Sequence, residues 1–324
     1  MKILFLSLLL LVSLDSNAQC RLRIMEWNVE NLFDTEHDSL KNDKDFLPSS
    51  PRHWTRAAYW RKLNKVGQGI IAGGLKDGWG RLPDLVGLCE VENDSTMIYL
   101  TERSLLRKAR YKYVMTASPD ERGIDVALLY SPFSFRLLHA DTIRIKPMKE
   151  MKPTRDILHV AGEVISGDTL HIFLIHAPSR SGGEIQTRPF RKYVSECLCA
   201  AIDSVRQHNH EVKIIVMGDF NDYAQDASLK NLYAHSLVNI SEKASGTNGA
   251  KGTYKYKGAW GSLDQILISK NLLPKVKCCF INDEKFLMEE DKVYGGFKPR
   301  RTFNGMRQNG GYSDHLPLIL DLTL

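Results

Sequence analysis

The chain has 324 residues, with 44 Lys and Arg against 38 Asp and Glu, a formal net charge of +6. Apolar residues make up 43% and charged residues 25%, which excludes a collagen-like, mucin-like or wholly disordered chain. Six cysteines are too few for a disulfide scaffold, and the length suffices for one large core or two modest ones.

The N-terminus reads as a leader. Lys2 precedes the apolar run Ile3 to Val12, and Ser16-Asn17-Ala18 ends in a small residue before Gln19. A positive start, a short apolar stretch and a small-residue exit predict a secretory signal over residues 1–18. The run is too short to span a bilayer, which needs roughly 20 apolar residues. Removing it takes away one Lys and one Asp, so the remaining charge is unchanged at +6. The expectation is an exported protein, periplasmic or extracellular, with one catalytic domain over residues 19–324. No later segment is apolar enough for stable membrane insertion, and no protein partner is evident. The mild positive balance favours anionic partners without proving nucleic-acid binding.

Strand-like runs follow in order: Leu22–Trp27, Leu85–Cys89, Val126–Tyr130, Leu170–Ile175, Val212–Met217, Leu263–Ile268, Val276–Ile281 and Leu316–Leu322. Several are apolar over four or more consecutive residues, as in strands covered on both faces. Apolar spacing of three or four predicts helices over Thr55–Ala72 and Thr187–Gln207. Strands interleaved with a few helices over the whole length predict α/β layers in a single domain. Between Asp283 and Asp291 lie five acids and one Lys; between Lys292 and Arg307 lie five basic residues and no acid. With Gly295-Gly296 and Gly310-Gly311, this stretch reads as a functional loop more than a packed element. Cys20, Cys89, Cys197, Cys199, Cys278 and Cys279 lack zinc-site spacing and read mostly as buried thiols.

Polar residues recur where these apolar runs end: Asn28, Glu90, His176, Asp219 with Asn221, Asp264, and Asp314 with His315. In layered α/β proteins, sites gather where strand ends meet loops. Each residue alone has an ordinary structural explanation, as a solvated strand end, a turn or a cap. Together they suggest a hard-metal site with a general base. Oxygen ligands such as Glu90, Asp219, Asn28 and Asn221 suit Mg²⁺ or Mn²⁺ better than zinc. His315 can take a proton from water if a carboxylate, Asp264 or Asp314, fixes its tautomer.

These stretches carry a resemblance. Trp27-Asn28-Val29-Glu30-Asn31-Leu32-Phe33, Glu90-Val91-Glu92-Asn93, Asp125 to Tyr130, His176-Ala177-Pro178-Ser179, Gly218-Asp219-Phe220-Asn221, Ser262-Leu263-Asp264 and Ser313-Asp314-His315 stand in that order over residues 22–322. The combination resembles the endonuclease/exonuclease/phosphatase superfamily, and in particular its secreted bacterial members. That superfamily includes deoxyribonuclease-type nucleases, abasic-site endonucleases, sphingomyelinases and inositol-polyphosphate phosphatases. The resemblance implies a four-layer α/β/β/α sandwich of two mixed sheets. It implies that Glu90 is the principal metal ligand with Asn28 beside it, and that Asp314 supports the metal or the base. Asp219 would orient the attacking water, Asn221 would hold a phosphate oxygen, Asp264 would pair with His315, and His176 would contact the scissile phosphate.

Around His176 the chain lacks the Asn found there in abasic-site enzymes, which speaks against DNA repair. Arg122 and Arg180 are added cations that could grip phosphate, as is Arg301 in the basic stretch. Glu92 and Asp125 are second candidates near the metal. Tyr254, Tyr256 and Trp260, among Lys255 and Lys257, could stack bases or be ordinary strand residues. The leading expectation is an exported, Mg²⁺- or Mn²⁺-dependent phosphoesterase, first of all a nuclease acting on a phosphate-containing substrate. A phosphatase or phosphodiesterase acting on inositol phosphates or phospholipid head groups is the alternative. The lipid version should expose an apolar tip, and the sequence offers no obvious one. A non-catalytic binding module comes last.

Overall fold

The computed structural model describes residues 20–324; the expected leader lies outside the described residues. The strands run β1 (Arg21–Leu32), β2 (Leu85–Val91), β3 (Lys112–Met115), β4 (Asp125–Tyr130), β5 (Phe135–Ile143), β6 (Ile157–Val164), β7 (Thr169–His176), β8 (Lys213–Asp219) and β9 (Leu237–Asn239). A hairpin of β10 (Tyr254–Tyr256) and β11 (Ala259–Gly261) precedes β12 (Asp264–Ser269) and β13 (Val276–Ile281). Two further hairpins, β14 (Met288–Glu290) with β15 (Phe297–Pro299) and β16 (Phe303–Asn304) with β17 (Arg307–Gln308), lead to β18 (Leu318–Thr323). The α-helices are α1 (Arg56–Leu75), α2 (Asp94–Ile98), α3 (Glu184–His208) and α4 (Ala227–Ala234).

Twelve strands form two six-stranded sheets, ordered β13-β18-β1-β2-β4-β3 and β5-β6-β7-β8-β12-β9. Each contains one parallel pair, β1 with β2 and β7 with β8, so both are mixed. Side chains alternate across a strand, and here the alternation divides two apolar layers. Leu170, Ile172 and Leu174 of β7, Ile215 and Met217 of β8, and Ile266 and Ile268 of β12 join the large core shared with the first sheet. Phe173, Ile175, Ile214, Val216 and Leu267 point the other way, into a second cluster with Val194, Leu198 and Ile202 of α3 and Leu229 and Leu232 of α4.

Helix α1 covers the outer face of the first sheet. Thr55 caps its N-terminus by accepting a hydrogen bond from the Ala58 N–H at 3.3 Å. The helix sits directly on Trp27: a Cβ at Gly69 would lie 2.6 Å from the indole ring. Four layers result, α/β/β/α. All eight expected strands are present with ends shifted by one to a few residues, and both expected helices run slightly longer than their spacing indicated. Strands β3, β5, β6 and β9 of the two sheets are additions. The acidic and basic stretch of residues 283–307 is also more ordered than a loop, since it folds into the last two hairpins. No helix among the described residues is long and apolar enough to cross a membrane. The six thiols form no disulfide among the described residues.

Candidate active site

The alternation that builds the core also builds the site. Continuing the inward series by two residues brings β7 to His176, β8 to Asp219 and β12 to Asp264; in β1 it leads to Asn28. Register places these groups side by side: Asp219 is opposite Asp264 on one flank and His176 on the other. Where the apolar layer ends, the same face carries polar groups.

Irregular backbone then aims the remaining side chains. The β1–β2 ladder shifts register between Asn28 and Leu32, and the β2–β4 ladder shifts between Cys89 and Val91. At those bulges Glu30, Asn31 and Glu90 take φ of 50°, 56° and 66°, a conformation costly for side-chain-bearing residues and concentrated at functional sites. Asn221, at φ 50°, follows the end of β8. Gly218 has φ 138°, and a Cβ there would lie 1.9 Å from the Ile175 carbonyl oxygen. Only glycine permits this approach of β8 to β7.

His315 is the centre of the hydrogen-bond network. Its Nδ1 lies 2.7 Å from Asp264 Oδ2, and its Nε2 lies 4.0 Å from Asp219 Oδ2. Thr253 also donates to Asp264 Oδ2, while Asp264 Oδ1 is buried without a partner. Trp27 Nε1 donates to the His315 carbonyl at 3.0 Å, and Ser313 Oγ donates to the Asn28 carbonyl at 2.6 Å. Burial opposes a charged imidazole at His315. The neighbouring carboxylates of Asp264, Asp219 and Asp314 outweigh it and hold the group well above the ordinary histidine range.

Asp219 accepts from Asn28 Nδ2 at 3.0 Å and from the Asn221 N–H at 2.8 Å. Burial, and then the Asp264 charge, push its carboxyl up to about 6. His176 Nε2 stands 3.7 Å from Asp219 and 3.9 Å from Glu90. Burial, with Arg155, Arg122 and His315 nearby, drives its pKa far down, so the imidazole is neutral. Arg155 is buried behind it, donating to the His176 and Ala177 carbonyls and pairing with Asp120 at 3.0 Å. Glu90 Oε2 accepts from the Asn31 N–H at 2.8 Å.

A cavity of about 840 Å³ opens over this network. Asn28, Glu90, Arg122, His176, Arg180, Asp219, Asn221, Arg301, Asp314 and His315 all line it, with Asp264 buried behind His315. The leading sequence-derived site residues are therefore brought together. The arginines, however, are engaged. Arg122 bonds Asn31 and approaches Glu90 at 3.7 Å; Arg301 pairs with Asp314 at 2.9 Å. Arg180 holds the Asn221 carbonyl at 2.7 Å and Asp226 at 2.8 Å, which braces the loop carrying Asn221. Asn221 Nδ2 is itself bonded to the Ala177 carbonyl at 3.1 Å. Glu92 and Asp125 lie elsewhere, on a separate cavity of about 780 Å³. Tyr254 and Tyr256 line the main cavity and Trp260 does not.

Asp219, Asp264 and His315 can each offer an atom within 4.8 Å of the others. Glu90 adds a carboxylate across His176 Nε2 from Asp219, while Asn28 turns its Nδ2 to Asp219 and its Oδ1 to the Glu30 N–H. Converging carboxylates, with Asp264 Oδ1 buried and unpartnered, fit a hard divalent cation.

Sequence reasoning missed the support of the basic stretch. Glu30 accepts from the Thr302 and Phe303 N–H groups, and buried Lys62 of α1 donates to Thr302 Oγ1 and the Tyr312 carbonyl. Burial, then Asp314, raise Glu30 to about 7, while burial lowers Lys62 to about 8. The only sequence signal was an acid inside Trp-Asn-Val-Glu-Asn and a lysine on the inward face of α1.

The family model for the endonuclease/exonuclease/phosphatase family matches residues 23–323. A family member from Bacteroides thetaiotaomicron is similar in structure, with TM-score 0.62 and 16% identity, covering 94% of this chain and 98% of that one. A mannosyl-6-phosphatase from the same organism gives TM-score 0.64 at 14% identity, covering 94% and 100%. The catalytic domain of human Nocturnin gives 0.57 at 16%, covering 94% and 95%. No curated protein matches the sequence. A site at the same strand ends, inside the sandwich expected from the motifs and along nearly the whole chain, leads to one assignment: the protein belongs to the endonuclease/exonuclease/phosphatase family of phosphoester hydrolases.

Proposed function

We propose that the protein is an exported, Mg²⁺-dependent phosphodiesterase that hydrolyses nucleic acid. The observation that carries the reading is the His315–Asp264 pair, 2.7 Å apart, beside Asp219 at the base of an 840 Å³ cavity lined by four arginines and three tyrosines. The volume is several times that of a phosphate group, and its walls offer both cations and ring faces, the combination that tracks a polynucleotide.

Asp264 fixes the His315 tautomer by accepting a hydrogen bond from Nδ1–H. The neighbouring carboxylates keep the imidazole protonated only until a divalent cation held by them offsets their charge, which frees Nε2 as a base facing the cavity. Nε2 takes the proton of an attacking water, and the carboxylates around it stabilise the imidazolium that forms. Asp219, fixed by Asn28 and Asn221, orients that water. Neutral His176 contacts a phosphoryl oxygen without adding charge. Glu90, Asn28 and Asp219 are the groups that would hold a divalent cation, which supplies charge neutralisation at the phosphoryl and leaving oxygens.

A smaller or lipid-borne phosphate is the second reading. Contrary to the sequence expectation, there is an exposed apolar tip: Val293, Tyr294 and Phe297 are 78%, 56% and 55% exposed, and Tyr256 at the cavity rim is 59% exposed. The deciding experiment is nicking of supercoiled plasmid with Mg²⁺ or EDTA, beside His315→Ala. Metal-dependent nicking that falls at least ~100-fold in the variant supports the nuclease. No nicking, with hydrolysis of sphingomyelin vesicles or sugar phosphates instead, transfers the same mechanism to the second reading.

A further inference from the structure

Four arginines line the main cavity, and three are tied to carboxylates or carbonyls of the site. Arg52 is different. Its guanidinium lies 5.0 Å from the Phe46 ring centroid and 4.7 Å from that of Phe303, held over two aromatic faces. Its polar contacts are a 3.5 Å hydrogen bond to the Gly305 carbonyl and a 3.6 Å ion pair with Asp45, whose side chain is 54% exposed and does not line the main cavity. The cation is therefore fixed in position by packing over the two rings, its Nε is buried without a hydrogen-bond partner, and its acidic neighbour is a solvent-exposed side chain.

Arg52 also lines a second hollow, of about 420 Å³, with Pro51, His53, Met306, Arg307 and Gln308. This hollow contains no carboxylate, whereas Glu30, Glu90, Glu184, Asp219 and Asp314 line the main cavity. Hydrogen bonds brace the side of this hollow. Gln308 Nε2 donates to the Arg52 and His53 carbonyls at 2.8 and 2.7 Å, joining the β16–β17 hairpin to the loop before α1. His53 adopts φ 48° there.

We propose that Arg52 and Arg307 form an anion track that leads out of the active-site cavity and holds the phosphates next to the one being cleaved. The inference rests on the phosphodiesterase reading and narrows it: the preferred substrate is a chain of several phosphates, not a lone phosphoester. A mixed cavity suits chemistry, where carboxylates must hold a cation and orient water. An extension whose lining holds no carboxylate suits retention of a polyanion, and the exposed Asp45 carboxylate beside Arg52 lies outside that lining.

The test separates binding from cleavage. Fluorescently labelled single-stranded oligodeoxynucleotides of two and twelve nucleotides are titrated by anisotropy in EDTA, against the full chain, Arg52→Met and Arg307→Met. The unaltered protein is expected to bind the twelve-mer at least ~10-fold tighter than the two-mer. Each variant should shrink that ratio severalfold and reduce the salt slope for the twelve-mer by roughly 0.7, the value for one contact to a single strand. Arg307 is exposed, so its variant guards against loss of fold at Arg52, and thermal melts check both. A length ratio that survives both substitutions, or equal weakening of both lengths, overturns the track. Cleavage is scored separately with Mg²⁺. Arg52-dependent binding without any cleavage would sink the nuclease reading and leave the track standing; cleavage with a variant-independent length ratio would do the reverse.

Discussion

Replacing Asp264 by Asn tests the central pair. The carboxylate is fully buried, and its Oδ2 takes both the His315 Nδ1 hydrogen bond and the Thr253 hydroxyl. An amide of the same shape that keeps the Thr253 bond through its oxygen cannot offer a second, charged acceptor to His315. An amide turned the other way donates to Nδ1 and moves the imidazole proton to Nε2, where a base is needed. Either outcome removes the base while leaving the fold. Loss of the correct tautomer costs about 10³–10⁴ in turnover in triads of this type, or roughly 4–5 kcal/mol in barrier. Asp264→Asn also removes one of the carboxylates crowding Asp219, so stability should not fall. The assay is steady-state hydrolysis of thymidine 5′-(p-nitrophenyl phosphate) over a range of Mg²⁺, with a thermal melt. The expected result is at least ~10³-fold lower kcat at every Mg²⁺ concentration. Because Asp219, Asp264 and His315 also cluster closely enough to ligate a cation, a rival outcome exists. Full recovery at high Mg²⁺ would make Asp264 a metal ligand and refute the base–orienter assignment.

Three further outcomes follow from the packing. Gly218→Ala should cost several kcal/mol or prevent folding, since its Cβ would lie 1.9 Å from a carbonyl oxygen; a melting temperature within ~2 °C of the parent would contradict the β7–β8 geometry. Lys62→Met leaves Thr302 Oγ1 and the Tyr312 carbonyl without their buried donor, so denaturant unfolding should report a loss of about 1–3 kcal/mol; an unchanged midpoint would deny Lys62 its anchoring role. On acidification, burial and then His159 and His139 lower His171 to about 4, from 6.5 in the unfolded chain. The unfolded state binds that proton first, so this group's contribution is intact above 6.5 and is lost as pH falls towards 4. His171→Gln should therefore flatten the decline of melting temperature across that window, and parallel curves for the two proteins would argue against it.

The legible parts of the fold were those written in continuous apolar runs. Buried strands such as β8 and β18 announce themselves because both faces are covered. Strand β5 does not: it is an edge strand, exposed along most of its length, and Arg136, His139 and Asp141 break its apolar pattern. In β6, His159 and Gly162 interrupt the run. The site residues were legible for a related reason. His176, Asp219 and Asp264 each stand one inward step beyond the last apolar residue of a strand, and the others lie close to strand ends, so a motif there carries its own location. Arg52, Lys62 and Arg155 have no such marker. Their roles depend on groups 240 residues or more away, as Lys62 with Thr302, or on carbonyls that only folding brings near, as Arg155 with His176. The basic stretch was visible as charge, but its anchoring by Glu30 and Lys62 was not, because a charge count holds no information about which groups become buried.

Trp27 and His315 are joined across 288 residues of sequence, and Asn28 and Ser313 across 285. These contacts, with the β1–β18 pairing, make the order of synthesis matter. A ribosome releasing this chain completes Glu90 and Asp219 long before the base. Until the segment after Gly311 emerges, β1 lacks its antiparallel neighbour and the cavity lacks His315. The nascent polypeptide is thus catalytically silent until His315 has joined the fold, and competence arrives in one late step when β18 closes on β1. Long-range closure of this kind is slow, and it makes the onset of hydrolysis one of the last events of folding.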